Sequence, residues 1–496
     1  MLQKTLNSIE KFSNKEAFFI DEISYKYADF GKKITAIISE IEKIKTQENE
    51  IIGIIADNNF DTFASIYAVW FSGCAFVPLS INVPIERNQE IINQLNLKII
   101  LNTTENISLY SNLINIKKIN TLKLKSDKIE INLSKYNNTD LSYILFTSGS
   151  TGIPKGVPIS VKNINTFYNN FINLGYKINE TDKFLQSFEL TFDFSVKSYI
   201  IPLSLGASLY TPKKTGIKHL NIYKAIKKHN ITFVSAVPST VSLLKPYFKE
   251  INLPSVKYML FAAEALTKSL MQEWQHCVPN ATIINSFGPT ETTIVCTEYI
   301  WKRNSENEAK NDNLSIGKPF GDNIAIIVDD NNNIVKTSEN GILCISGNQV
   351  CDGYLNLPEL NAKTFITINN TVFYKTGDIV FKSESGDLIY VGRADSQIQI
   401  QGHRVELGDI SFNLKKLLPN NESVIITIEI LNIQHIIAFV QNLNIKSEIL
   451  KKQLSEILPH YMVPSYFIDI KEIPYSSNGK IDKLKLKEIF KNKYNE

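Results

Sequence analysis

The sequence predicts an α/β fold with more than one domain, and three observations carry that prediction. The chain has 496 residues, more than a single hydrophobic core organises. Between Glu50 and Asn285, apolar runs of strand length alternate with segments of helical periodicity, the pattern of parallel sheets with right-handed crossovers. From about Leu314 the helices give way to short strands broken by turn residues. Beyond Gly392 the pattern becomes a compact α+β unit of about a hundred residues, enough for a domain.

Met1 to Asp21 mixes charges with apolar residues at helical spacing and lacks the apolar core of a signal peptide. Ile51 to Ile55 reads as a strand, Phe60 to Phe71 as a helix and Ala75 to Leu79 as a strand. The most apolar run, Ser65 to Ile81, is broken by Gly73 and Pro78 and falls short of a membrane span. It is read as a buried helix followed by a strand, and no membrane span is expected. Pro84 to Leu95 is a helix with proline near its first turn, and Lys98 to Leu101 a strand. Asn102 to Asp140 is polar and reads as an irregular surface excursion.

The alternation then resumes, with helices at Ile217–His229, Ser239–Phe248 and Thr267–Cys277. The intervening strands are Ile231–Val237, Tyr258–Ala262 and Thr282–Asn285. Ile324 to Val328 leads into an Asp329–Asn333 turn, the signal of a hairpin. This part of the chain predicts a small antiparallel or barrel-like subdomain. In the terminal unit, strands are expected at Val424–Ile430 and His435–Val440. A helix is expected at Ser447–Leu458 and a charged helix or tail at Leu484–Glu496.

Hydrophobic residues make up 43% and charged residues 21%, the balance of a soluble globular protein. The net charge is +3, the lysines are scattered, and no basic block is interleaved with aromatics, so no nucleic-acid partner is expected. The five cysteines are odd in number and form no C-x-x-C pair, which suggests neither a disulfide framework nor a zinc site. Cys344 and Cys351 read as small buried residues. A cytoplasmic location fits.

Five stretches carry chemistry. In the first, the apolar run Tyr143 to Phe146 is followed by Thr147, Ser148, Gly149, Ser150, Thr151 and Gly152, then Pro154 and Lys155. A strand thus feeds a loop of backbone N–H groups, hydroxyls and one ammonium, a surface suited to polyphosphate. It is not a Walker P-loop: counted from Gly149, the second glycine falls on Pro154 and the Ser/Thr position on Gly156.

The second stretch is Asn285, Ser286, Phe287, Gly288, Pro289, Thr290, Glu291, Thr292. It places an aromatic, a hydroxyl and a carboxylate at the C-terminal end of a strand, where open α/β sheets bind ligands. An aromatic can face a purine, a threonine can donate to phosphate and a glutamate can ligate magnesium. As local structure it also reads as a capped turn. The third, Tyr374 to Asp378, is a strand ending in a carboxylate able to accept two ribose hydroxyls, or an ordinary Gly-Asp turn. The fourth, Gly392 to Glu406, is dense in charge where two domains should meet, or is a solvated hairpin, and the fifth, Pro474 to Asp482, is a turn presenting Lys480, or an ordinary β-turn.

In order and spacing these stretches closely resemble the successive core motifs of the adenylate-forming enzymes. That superfamily includes acyl-CoA synthetases, luciferases, adenylation domains of nonribosomal peptide synthetases and D-alanine–carrier protein ligases. The resemblance runs from the Ala68–Pro84 segment to Lys480. It implies a large N-terminal adenylation core, residues 1–394, of stacked sheets and helices with a small β-barrel-like subdomain. It also implies a hinge at Asp395 and a small α+β mobile lid, residues 395–496.

The resemblance implies ATP and Mg²⁺ as well, with roles residue by residue. Thr147, Ser148, Gly149, Ser150, Thr151, Gly152 and Lys155 would handle the β- and γ-phosphates. Phe287, where many relatives have tyrosine, would stack on adenine near Asn285, Ser286 and Gly288. Thr290 would contact the α-phosphate, Glu291 would hold the metal, and Asp378 and Arg393 would bind the ribose. Lys480 would bridge the substrate carboxylate and the α-phosphate.

Phe192 to Val196 resembles the segment of amino-acid-activating members in which the aspartate, here Asp193, meets the substrate ammonium. Read locally, Asp193 is a helix cap. The resemblance implies further pocket positions at Phe194, Lys197, Ser239, Ala262 and Ile294. Lys197 lies one helical turn after Asp193 and either enters the pocket, favouring a polar or acidic side chain, or points to solvent, the default for a lone lysine.

Overall length, Ser187–Val196 and Leu458–Pro464 look most like the free-standing D-alanine–carrier protein ligases. The chain departs from them at Ala262-Ala263-Glu264, where they carry Cys-Gly-Glu, at Lys197, and at Gly341-Ile342-Leu343, which lacks the usual glutamate. The implied reaction is ATP-dependent activation of an amino acid with release of pyrophosphate. Transfer would follow to the phosphopantetheine thiol of a separate carrier protein, since 16 residues follow Lys480. Two alternatives stand beside it: an acyl-CoA or aryl-CoA ligase, and a non-catalytic nucleotide-binding relative. Intact Lys155, Glu291, Asp378 and Lys480 argue against the second.

Overall fold

The computed structural model describes residues 1–105, 115–133, 136–149, 153–394, 397–430, 433–475 and 481–494. The chain forms two compact units. The first comprises Met1–Ile81, Ile92–Phe146 and Gly156–Ala394, and the second Asn82–Ile91, Thr147–Lys155 and Asp395–Glu496.

A six-stranded sheet of the first unit runs in the order Lys117–Asn120, Ile99–Asn102, Ile51–Ala56, Ala75–Ser80, Leu141–Thr147, Lys155–Ser160. Ile51–Ala56 pairs in parallel with both Ala75–Ser80 and Ile99–Asn102. Its residues Ile52 to Ala56 are all buried, which is why this strand reads as an unbroken apolar run rather than an alternation. The connecting helix Phe60–Phe71 is buried along nearly its whole length and starts at Asn59, whose side chain accepts from the Thr62 N–H.

The second large sheet holds the parallel strands Lys183–Leu185, Phe233–Ala236, Tyr258–Phe261 and Thr282–Phe287. Thr282–Phe287 then turns back antiparallel into Thr297–Ile300. Through it the sheet continues into Asn313–Pro319, Leu388–Arg393, Thr371–Lys382, Asn340–Ser346 and Ile324–Val328, all antiparallel. The short strands expected after Leu314 are therefore present, as an extension of the main sheet.

Four local expectations change. The helix expected over Ser239–Phe248 stops at Ser242 and is followed by a 3₁₀ turn at Lys245–Tyr247, because Pro246 cannot donate to a continuing helix. The Asp329–Asn333 turn forms and bridges Val328 antiparallel to Ile334, but the strand that pairs along Ile324–Val328 is Asn340–Ser346. Helix Leu2–Lys11 covers half of the N-terminal segment read as helical; Glu16–Ile20 is a strand parallel to Ser208–Tyr210. The expected irregular excursion contains the strand Lys117–Asn120.

The second unit holds the antiparallel pair Ser423–Ile430 and Ile433–Gln441, with Tyr466–Ile470 parallel to the latter. Helices Leu407–Leu417 and Ser447–Ser455 pack on one side of its apolar core, and Lys483–Tyr494 contributes Leu486 and Phe490 to a second cluster. Among the described residues, no helix is long and apolar enough to cross a membrane.

Candidate active site

The parallel strands of the first unit set the site's register. Ala236, Phe261 and Asn285 sit side by side at adjacent strand ends. The residues that follow, Ser239, Ala262 and Ser286 to Glu291, consequently leave one edge of the sheet together. Ser239 is fixed by Glu264, whose carboxylate accepts from the Ser239 N–H at 2.8 Å and from its hydroxyl at 3.0 Å. Ala262 is buried, and Ala263 beside it has φ 72, a conformation that favours glycine. This is the position where the D-alanine ligases' motif has Gly.

Asn285 is tied down by its side-chain amide, which donates to the Ser315 carbonyl at 2.8 Å. The buried Ser286 hydroxyl has no hydrogen-bond partner among the described residues. Phe287 is half-buried against an apolar cluster that includes Cys296, Ile316 and Val380. Gly288 is needed for close approach: a Cβ there would lie 2.4 Å from Val295 Cα and 2.7 Å from the Ile294 carbonyl oxygen. Folding back at Gly288 makes residues 288–296 the turn of the hairpin whose strands pair Phe287 with Thr297.

Within that turn, Thr290–Thr292 is a single 3₁₀ turn and Glu291 is completely buried. The Glu291 carboxylate accepts from the Tyr354 hydroxyl at 2.5 Å, and its backbone oxygen accepts from the Cys351 N–H at 2.9 Å. Ile294, also buried, has φ 77.

Asp378 and Arg393 are in register on antiparallel strands, and the guanidinium donates to the Asp378 carboxylate at 2.8 Å and to the Thr376 carbonyl at 3.0 Å. The Thr376 hydroxyl in turn accepts from the Asp378 N–H at 3.0 Å. A rigid carboxylate–guanidinium pair results.

Asp193 heads the buried helix Phe194–Ser204 and is itself buried, yet its side chain makes no capping hydrogen bond to that helix. Nearby in sequence, the Ser195 hydroxyl is buried with no partner among the described residues. Lys197 does not point to solvent. Its ammonium donates to the Ser235 hydroxyl at 2.8 Å and lies 4.4 Å from the Phe194 ring centroid and 5.2 Å from that of Phe233. A hydroxyl and aromatic faces replace water around the charge. Burial holds the Lys197 ammonium well below its ordinary pKa, opposed by the Glu298 carboxylate. Glu298 accepts from the Tyr176 hydroxyl at 2.6 Å, and burial raises its own pKa.

Of the phosphate-loop residues, Thr147, Ser148, Gly149 and Lys155 belong to the second unit. Gly149 approaches so closely that a Cβ would meet the Ile153 carbonyl oxygen at 2.1 Å. The Thr147 hydroxyl is buried with no partner among the described residues. Ser148 donates to the Arg404 carbonyl at 2.9 Å and accepts from the Glu406 N–H at 3.2 Å, while Lys155 lies 3.6 Å from the Glu406 carboxylate. Ser150, Thr151, Gly152, Asp395 and Lys480 lie outside the described residues.

All five cysteines are buried, and burial pushes the Cys296 and Cys344 thiols up to about 12. Neither is a nucleophile at neutral pH. Among the described residues, no group of three or more His, Cys, Asp or Glu side chains could hold a metal ion. Glu291 nevertheless fits Mg²⁺, which is commonly bound by one or two carboxylates together with substrate phosphates and water.

Residues 6–355 match the AMP-binding enzyme family. The chain belongs to that family. It is an adenylate-forming enzyme, an ATP-dependent ligase of the AMP-forming kind. Gramicidin S synthase 1 of Brevibacillus brevis is 31% identical over 97% of this chain, which spans 43% of that protein's length. The D-alanine–D-alanyl carrier protein ligase of Bacillus licheniformis is 28% identical over 98% of this chain and 99% of its own. Among solved structures, the Vibrio cholerae adenylation domain AlmE in complex with glycyl-adenosine-5'-phosphate shares the fold. Its TM-score is 0.87 at 23% identity, with 98% of this chain and 97% of that one covered.

Proposed function

We propose that this AMP-binding enzyme activates a small amino acid as its aminoacyl-adenylate and transfers it to the phosphopantetheine thiol of a separate carrier protein. D-alanine is the first acid to test. The observation that carries the amino-acid assignment is Asp193, a buried carboxylate at the head of the buried helix Phe194–Ser204. A buried carboxylate is stabilised by a cation brought to it, and a substrate ammonium is one. The match to a D-alanine–D-alanyl carrier protein ligase over 98% of this chain and 99% of that one supports a carrier protein as the acceptor.

In the first half-reaction, a carboxylate oxygen of the amino acid attacks the α-phosphorus of ATP. The bond from that phosphorus to the bridging oxygen of pyrophosphate breaks. Both reactants are anionic, so the site must supply positive charge and orientation. Thr290 would donate to the α-phosphate and Lys480 would bridge it to the attacking carboxylate. Phe287 would face the adenine, and Asp378, held by Arg393, would accept the ribose hydroxyls. Thr147 to Lys155 would receive the departing phosphates. Mg²⁺ at Glu291 would neutralise phosphate charge.

In the second half-reaction a thiolate attacks the acyl carbon and AMP leaves. We read residues 1–394 as the adenylation core and 395–496 as a lid turning about Asp395, a conformational step of a common kind.

The test is pyrophosphate exchange over D- and L-amino acids and aryl acids, on wild type and Asp193→Ala. One amino acid should support exchange, and Asp193→Ala should raise its KM sharply, since breaking a buried ion pair on one side costs about 3–5 kcal/mol. The KM for ATP should change much less. Robust exchange with an acid lacking an amine, unaffected by Asp193→Ala, would overturn the reading in favour of an acyl-CoA ligase.

A further inference from the structure

Gln349 has no role in the proposed chemistry, yet it is completely buried and its side chain is bonded through both polar atoms. Its two amide hydrogens are shared among the carbonyls of Val295 at 2.9 Å, Thr292 at 3.2 Å and Thr293 at 3.4 Å. Its side-chain oxygen accepts from the amides of Asn170 and Asn323, each at 2.9 Å. Its backbone oxygen accepts from the Thr293 hydroxyl at 2.5 Å. The backbone on either side of Gln349 is pinned as well, because the Asn163 amide donates to the carbonyls of Asn348 and Val350, each at 2.9 Å.

The three carbonyls bracket Ile294. Thr293 and Ile294 have φ 56 and 77, in the left-handed region that β-branched residues enter only when their surroundings over-determine them. Gly288 packs against the same turn. Gln349 meets the same turn with a planar amide whose donors face the three carbonyl oxygens and whose oxygen is held by two asparagines.

We infer that Gln349 is a positioning residue for the amino-acid site. It holds the strained Thr293–Ile294 backbone and so sets where the Ile294 side chain stands. The inference rests on the proposed placement of Ile294 in the amino-acid pocket. A loosened turn would let Ile294 swing and change the fit of the acid, while the adenine and ribose positions at Phe287, Asp378 and Arg393 stay held by their own strands.

The experiment uses the full chain and pyrophosphate exchange, with D-alanine or the best acid of the screen. Gln349→Met keeps the volume and removes the amide. It should raise the amino-acid KM about tenfold and move the KM for ATP by no more than about twofold, the signature of lost positioning on one substrate. Asn170→Ala removes one of the two donors that orient Gln349 and should move the amino-acid KM the same way by about threefold. Gln349→Met with wild-type kinetics, or with both KM values raised alike, would overturn the inference. Should Gln349→Met fail to fold, the same split in Asn170→Ala decides. Ile294→Ala separates the two layers: an unchanged amino-acid KM there removes Ile294 from the pocket and the inference with it. A changed KM there beside wild-type kinetics in Gln349→Met overturns the positioning role alone.

Discussion

Glu291 and Asp378 are both buried carboxylates of the first unit, and their surroundings differ in kind. Asp378 lies mid-strand, in register with Arg393, whose guanidinium donates to it at 2.8 Å. Glu291 lies in a one-turn 3₁₀ segment and accepts a phenolic hydroxyl from Tyr354 at 2.5 Å. A carboxylate paired with a guanidinium keeps lone pairs for neutral hydroxyl donors and has little further demand for a cation. One that accepts from a neutral phenol is not neutralised by that partner. On the proposed roles, the partner, more than the residue type, would separate a ribose acceptor from a metal ligand.

The largest effect should come from removing the charge at each position separately. Glu291→Gln should cut pyrophosphate exchange about 10²–10³-fold, the range for losing one electrostatic stabiliser of a developing charge. Asp378→Asn keeps an acceptor oxygen and should chiefly raise the KM for ATP. Equal losses of kcat in the two variants would erase the distinction between them.

Next in size is the cost of breaking the Asp378 pair from its other side. Arg393→Met leaves a carboxylate that is 9% exposed without the guanidinium. It should lower stability in urea titrations by about 3–5 kcal/mol, the range for an orphaned buried charge. The double variant Arg393→Met/Asp378→Asn should recover most of that loss. If it does not, the pair is packing rather than charge compensation. Tyr354→Phe tests the other partner and should do less. Losing one hydrogen bond to a charged group removes about 1.5–3 kcal/mol. Exchange measured at varied Mg²⁺ should show a raised requirement for the ion and an unchanged KM for ATP at saturating Mg²⁺.

Chemistry carried by neighbours in sequence was legible. Asn285 to Glu291 run off a parallel strand as the motif reading expected, whereas Asp378, read as the end of a strand, lies within the strand Thr371–Lys382. Elements made by distant partners were not. Tyr354 lies 63 positions from Glu291, and Gln349 lies 56 from Thr293, and periodicity carries no information at such separations. Glu264 left a fainter signal: a carboxylate three residues past the Tyr258–Phe261 strand, at the binding end of the sheet. The Ser239–Phe248 helix was misread because its apolar spacing outweighed Pro246. For Lys197 exposure is the default for a lysine, and only Phe194 of its partners is near in sequence, while Ser235 and Phe233 come from another strand.

Lys197 provides the smallest expected effect and a sign that sharpens the contrast between charges with and without partners. Its folded-state pKa is lowered, chiefly by burial, so the unfolded chain binds that proton more tightly than the folded one. Stability therefore rises with pH as the group loses its proton, and the penalty is fully present below the folded pKa. Lys197→Met keeps the length and apolar stem without the ammonium, and the Ser235 hydroxyl it leaves is uncharged. At pH 7 the variant should be as stable as wild type or slightly more so, by thermal melting. Its advantage should shrink as pH approaches the ordinary lysine value of about 10.4. A variant that is less stable at pH 7, with a deficit independent of pH, would mean that the aromatic faces, Ser235 and the Glu298 field compensate the buried charge in full. Lys197 would then stand with Asp378 as a matched charge.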